Sequence, residues 1–249
     1  MALDNHLKGE DTMLIIKDVT KSYDGVKNAC DGVSLTIEAG DIFGFVGHNG
    51  AGKTTLLKSI AGIIDFNEGE ITVDGFNIKK EPLEVKQRIA YIPDNPDIYE
   101  SLSGIQYLAF ISDVFEISEE ERSREIDRYA TLFEIRDVLN NPISSYSHGM
   151  KQKLVIISAL IHKPKLFLLD EPFVGLDPKA SFQLKEIFKD MCNNGTAIFF
   201  STHVLEVVEK LCNKVAIIKQ GKIVATGDTQ KIIKDQSLEN IFMEIQKEA

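Results

Sequence analysis

The chain has 249 residues, 43% hydrophobic and 27% charged, the composition of an ordinary globular protein with one large core or a core carrying a smaller lobe. Its formal net charge of −10 argues against a phosphate-tracking nucleic-acid surface, which needs clustered Lys and Arg, so no nucleic-acid partner is expected. Three cysteines, Cys30, Cys192 and Cys212, form no close pair and suit neither a disulfide framework nor a zinc site, the usage of a reducing compartment.

Residues 1–12 are polar and of mixed charge, lack the apolar stretch of a secretory signal, and read as a flexible N-terminus. Strands are expected at 13–19 and 33–37. Residues 42–46 are short, apolar and β-rich and break into glycine, the pattern of a buried strand feeding a loop. A helix is expected over 54–62, then short strands at 70–74 and 89–92. From about 103 to 162 the pattern is helical, with Ser118 and Glu121 reading as a capping box that opens a charged helix through Leu132. The apolar run 154–161 is well short of the roughly 20 residues that a membrane helix needs. Work at a membrane therefore calls for a partner.

Continuous apolar strands return at 166–169 and 197–200, as in a sheet covered on both faces. Between them Asp177-Pro178 reads as an N-cap with proline at the first helical position, and Asn194-Gly195 as the matching stop. Residues 215–218 and 222–225, joined through Gly221, read as a hairpin. Strands alternating with helices predict an α/β fold with a mainly parallel sheet, an antiparallel accessory layer and an inserted helical lobe.

Two segments carry chemistry. Gly47-His48-Asn49-Gly50-Ala51-Gly52-Lys53-Thr54-Thr55 fits G-x-x-x-x-G-K-[ST] after a predicted strand and before a predicted helix. Its glycines let successive N–H groups turn inward, and the helix adds its positive end toward phosphate. Lys53 is expected on the β- and γ-phosphates and the Thr54 hydroxyl on Mg²⁺. Asp170 and Glu171 end the strand at 166–169, where ligands sit in an open α/β sheet. Asp170 is expected to hold the magnesium, directly or through water, and Glu171 to orient or deprotonate the attacking water.

With these motifs in view the chain resembles the nucleotide-binding subunit of ABC transporters over nearly its whole length, implying a P-loop NTPase core. The resemblance gives 13–249 as one ATPase domain, with 13–96 and 163–249 as the nucleotide core and 97–162 as a helical signature lobe. Tyr23, in Lys-Ser-Tyr-Asp-Gly, matches the aromatic that stacks on adenine. Ser147-His148-Gly149-Met150-Lys151-Gln152 matches the family signature, usually Leu-Ser-Gly-Gly-Gln. Gly175-Leu176-Asp177 matches the loop coupling two sites, and Ser201-Thr202-His203 the switch histidine, a γ-phosphate contact. The implied cofactors are ATP and Mg²⁺, with Ser147, Gly149, Met150 and Asp177 serving the nucleotide held by a second ATP-binding subunit, either an identical chain or a paralogue. The implied setting is cytoplasmic, peripheral on the inner membrane face through an integral permease partner.

Three positions depart from the family pattern. Tyr146 replaces the signature leucine, His148 its first glycine, and Asp94 stands where a lobe-linking glutamine is usual. A carboxylate at 94 can ligate magnesium, but when ionised it cannot donate a hydrogen bond. This acidic variant and the segment after it resemble exporter subunits more than importer subunits, and 94–101 is the expected seat of the permease's coupling helix. Two other readings remain: a soluble ABC-type ATPase that remodels protein complexes, as in iron–sulfur assembly, and a nucleotide sensor without turnover.

Overall fold

The computed structural model describes residues 11–96, 98–234 and 236–247. Nearly all of the expected flexible segment 1–12 and residue 97 of the coupling-helix seat lie outside the described residues. Two sheets carry the fold. The antiparallel one contains β1 (Thr12–Ser22), β2 (Asn28–Glu38), β4 (Glu68–Val73) and β5 (Phe76–Asn77), in the order β2-β1-β4-β5. The second has six strands in the order β10-β9-β3-β8-β7-β6. They are β3 (Ile42–Val46), β6 (Ile89–Ile92), β7 (Leu166–Asp170), β8 (Ala197–Thr202), β9 (Lys214–Lys219) and β10 (Lys222–Asp228). All its neighbours run parallel except β9 and β10, the expected hairpin. Every residue of β3, β7 and β8 is buried, which explains their unbroken apolar sequence.

The helices are α1 (Lys53–Ile60), α2 (Pro82–Arg88), α3 (Gly104–Val114), α4 (Glu119–Leu132), α5 (His148–Ile161), α6 (Pro178–Asn193), α7 (Leu205–Leu211), α8 (Thr229–Ile233) and α9 (Leu238–Lys247). None of the described helices is long and apolar enough to cross a membrane. One apolar cluster binds the lower face of the six-stranded sheet to α3, α4, α5, α6 and α9, and a second lies between that sheet and the antiparallel one. Phe43, Phe45 and Phe199 meet at centroid separations of 5.6 and 5.3 Å in the second.

The capping box expected at Ser118 is only half made. Ser118 accepts from the Glu121 amide at 3.3 Å, while the Glu121 carboxylate turns away to pair with Lys163. The reciprocal box lies one helix earlier, where Ser103 accepts from the Gln106 amide and Gln106 Oε1 accepts from the Ser103 amide at 2.9 Å. The ends of α6 are as the sequence predicts: Asp177 Oδ1 accepts from the Ala180 amide at 2.8 Å, Pro178 follows, and Gly195 ends the helix with φ at 91°. Helices α2, α7, α8 and α9 escaped the sequence reading because the first three are short and α9 follows the last strand signal.

Candidate functional site

Strands β3, β7 and β8 run parallel side by side, so their C-terminal ends open on one edge of the sheet. The loop 47–52 leaves β3 there and turns into α1. Gly52 precedes α1 with φ at 112°, and a Cβ on it would lie 2.1 Å from the Ala29 carbonyl oxygen, so only glycine lets the chain turn in here. No side chain caps α1, which leaves its first amides free to face an anion. Lys53 is 7% exposed and donates to the Gly47 carbonyl at 2.6 Å and the His48 carbonyl at 3.2 Å. Burial holds its ammonium below the usual lysine range, against the opposing pull of the Glu171 and Asp170 carboxylates.

The two acidic residues stand in different surroundings. Asp170 is 3% exposed; its Oδ2 accepts from the Thr54 hydroxyl at 2.5 Å and its Oδ1 from the Ser201 hydroxyl. Glu171 takes a left-handed backbone, φ 50°, with its amide donating to the Ser201 carbonyl at 3.1 Å. Its carboxylate accepts from the Thr202 hydroxyl at 2.9 Å and lies 2.8 Å from His203 Nδ1. The left-handed turn separates the two carboxylates: Asp170 meets Thr54 of α1 and Ser201, and Glu171 meets Thr202 and His203. Thr54, Asp94, Asp170 and Glu171 border one cleft with Lys53 and the loop.

These oxygens fit a magnesium ion. A threonine hydroxyl and a carboxylate already in contact form a hard oxygen pair, with the Asp94 carboxylate on the same cleft. Among the described residues no three His, Cys, Asp or Glu side chains cluster as a metal cage.

An adjoining cleft is bordered by Tyr23, His48, Asn49, Gly50, Ala51 and the end of β9. Tyr23 is 66% exposed, with its hydroxyl 3.3 Å from the Thr55 hydroxyl and the Lys21 ammonium 5.1 Å from its ring centroid. An exposed aromatic beside a phosphate loop offers a face for a flat base.

Tyr23, residues 47–55, Asp94, Asp170 and Glu171 are thus brought together, and His203 joins them through Glu171. Ser147, Gly149, Met150 and Asp177 are not: none borders either cleft. Ser147 caps α5 by accepting from the Met150 amide at 3.3 Å, and both Ser147 and His148 are exposed. A Cβ on Gly149 would lie 2.7 Å from the Gly175 carbonyl oxygen, and one on Gly175 would lie 2.6 Å from the His148 ring. Lys153 Nζ reaches Asp177 Oδ2 at 2.7 Å, and this partner holds the Asp177 carboxyl below the usual carboxylate range. The start of α5 is therefore locked to the start of α6 with its amide end toward solvent. Tyr146 is 5% exposed and donates to the Val138 carbonyl at 2.7 Å, so this departure from the signature is a packing solution inside the lobe.

The sequence reading gave Ser201 and Thr202 no role of their own, yet their hydroxyls hold the two carboxylates. The available signal was two hydroxyl residues ending an apolar strand beside the strand of Asp170.

Known proteins share this fold. The family model described as "ABC transporter" matches residues 30–174. The ABC transporter ATP-binding protein NatA of Bacillus subtilis (strain 168) is 34% identical over 92% of this chain and 95% of its own. A solved structure described as the ATP-binding subunit of an ABC transporter superposes with a TM-score of 0.90 at 31% identity, covering 94% of this chain and all of that one. The fold is also that of MJ0796, a dimeric ATP-binding cassette in a post-hydrolysis state bound to ADP and Pi, with a TM-score of 0.80 at 22% identity over 87% of this chain and 99% of that one.

Proposed function

Because the chain belongs to the ABC transporter family, whose members bind and hydrolyse ATP, we propose that it is the ATPase subunit of a membrane transporter, working as a closing and opening dimer. One observation carries the dimer: the start of α5 presents a helix N-terminus and the exposed Ser147 hydroxyl to solvent, yet it lies outside the clefts around its own phosphate loop. A second copy facing it head to tail supplies the missing phosphate, as the dimeric relative with ADP and Pi suggests.

In this reading residues 13–249 form one ATPase domain, with 97–162 as the signature lobe. Tyr23 stacks on the base, and the loop amides with Lys53 hold the β- and γ-phosphates. Thr54, Asp170 and Asp94 are the residues that would hold Mg²⁺, which when bound supplies charge neutralisation for the phosphates. Glu171 accepts the proton of the attacking water on Oε1 or Oε2. Its hydrogen bond from Thr202 fixes the carboxylate, and His203 bridges it toward the γ-phosphate. Ser147, Gly149 and Met150 complete the partner's nucleotide site. Asp177, tied to Lys153, couples that site to its own.

The chain is placed on the cytoplasmic membrane face through a permease docked near 94–101. Export is the direction favoured by the acidic residue at 94. Light scattering of the Glu171→Gln variant tests the dimer: Mg-ATP should convert it from monomer to dimer. A monomer at saturating Mg-ATP refutes the composite site. Purification from membranes with a multi-span protein tests the transport role, and recovery only with soluble partners overturns it.

A further inference from the structure

Helix α9, to which the sequence reading gave no role, lies against the phosphate loop. Leu238, Ile241, Phe242 and Ile245 recur at helical spacing on the face that joins the apolar cluster beneath the six-stranded sheet. Phe242 is 8% exposed, and its ring meets the His48 ring at a centroid separation of 4.9 Å and an interplanar angle of 57°. His48 is the second residue of the loop, and its carbonyl accepts from Lys53 Nζ at 3.2 Å and from the Ala51 amide at 3.1 Å. It borders both clefts.

A second tie joins α9 to the same place. Lys219, at the end of β9 and on the wall of the Tyr23 cleft, donates from Nζ to the Ile245 carbonyl in the last turn of α9 at 2.7 Å. Just beyond it the Gly221 amide donates to the Ala51 carbonyl at 2.9 Å. Two residues of α9 thus hold the two protein segments that flank the nucleotide, one through an aromatic contact and one through a charged hydrogen bond.

We propose that α9 is a positioning element for ATP, with Phe242 setting the phosphate loop through His48. This rests on the reading of 47–55 as the ATP site. Phe242 does not touch the nucleotide; it restricts the conformations of a loop whose amides must converge on phosphate, and so lowers the cost of binding. Docking of α9 and binding of nucleotide then favour each other by the same factor.

The test is a double-mutant cycle on Mg-ATP affinity in the full chain, with Phe242→Leu, His48→Ala and both together. Phe242→Leu should weaken Mg-ATP binding about three- to ten-fold with kcat little changed, the size of an aromatic contact. The same substitution should have no effect in the His48→Ala background, because its target is gone. An equal effect in both backgrounds, or none in either, overturns the positioning role while leaving the ATP site standing. Absence of Mg-ATP binding by the native chain overturns the ATP site and the proposal with it. Should Phe242→Leu fail to fold, amide exchange of the native protein decides: Mg-ATP should slow exchange in α9, and unchanged exchange there overturns the proposal.

Discussion

The phosphate loop and the start of α5 both end in a helix N-terminus, but charged groups of the same chain surround the first while the second stands in the open. At the loop, Lys53 is buried, its donors engaged by carbonyls that phosphate can replace, and carboxylates and hydroxyls stand opposite. At α5, Ser147 caps the helix in the open, and the neighbouring groups, Gly175 and Asp177, brace it from the side. A site whose ligand comes with another molecule has to stay exposed until closure. On the proposed reading, that difference in burial separates the half that holds ATP from the half that meets it across the dimer.

Several changes would break or sharpen this contrast. The largest effect is expected at Glu171: Glu171→Gln should lower steady-state hydrolysis by about 10²–10⁴-fold, the usual share of a general base, with nucleotide binding retained. Turnover within a few-fold of native would remove Glu171 from the reaction.

Next come the two helix starts themselves. Lys53→Ala should cut ATP affinity about ten- to hundred-fold, since a charged hydrogen-bond donor is lost. Ser147→Ala should leave single-subunit affinity near native but suppress hydrolysis. Mixing these two variants should recover about a quarter of native turnover, the statistical share of composite sites left whole in a head-to-tail dimer. A mixture no more active than its parents would show that the halves do not meet.

A smaller effect is expected at Tyr23, where Tyr23→Ala should raise the KM for ATP about two- to ten-fold with kcat nearly unchanged, as for loss of one stacking contact.

The smallest effect is at the far end of α5. His162 stacks on Phe115 at 3.9 Å, bonds the Ile89 carbonyl at 3.1 Å, and burial holds its pKa below the ordinary 6.5. The unfolded chain binds this proton more readily than the folded one, so the stability tied to neutral His162 is fully present above pH 6.5. It is lost as pH falls below 6.5 toward the depressed folded value. Thermal melts between pH 7.5 and 5.5 should show this loss, and His162→Phe should flatten the profile; an unchanged slope in the variant would contradict it.

Much of the phosphate half was legible along the chain because its parts are local. A strand, a glycine turn, a lysine and a helix occupy 42–60, and the physics of the turn fixes the residue types within a few positions. Asp170 and Glu171 were legible as the end of a buried strand. The hydroxyls of Ser201 and Thr202 were not, since their role depends on β8 lying beside β7, a contact between residues 31 apart. Tyr146 was legible only as a departure from the family signature; packing shows its hydroxyl spent on Val138. The capping box is similar in kind: both Ser118 and Ser103 have an acceptor three residues on, and Glu121 faces instead the Lys163 ammonium and the Arg124 guanidinium.

The sequence by itself determined the nucleotide grip, the alternation of strands and helices and the order of the motifs, because backbone conformation and hydrophobic period act over a few residues. The tertiary structure alone decided which groups meet across the sheet edge, that the start of α5 borders neither cleft at its own loop, and that Phe242, nearly two hundred residues from His48, packs against its ring. Those outcomes depend on how distant surfaces pack, and packing is a property of shape in three dimensions that no local pattern encodes.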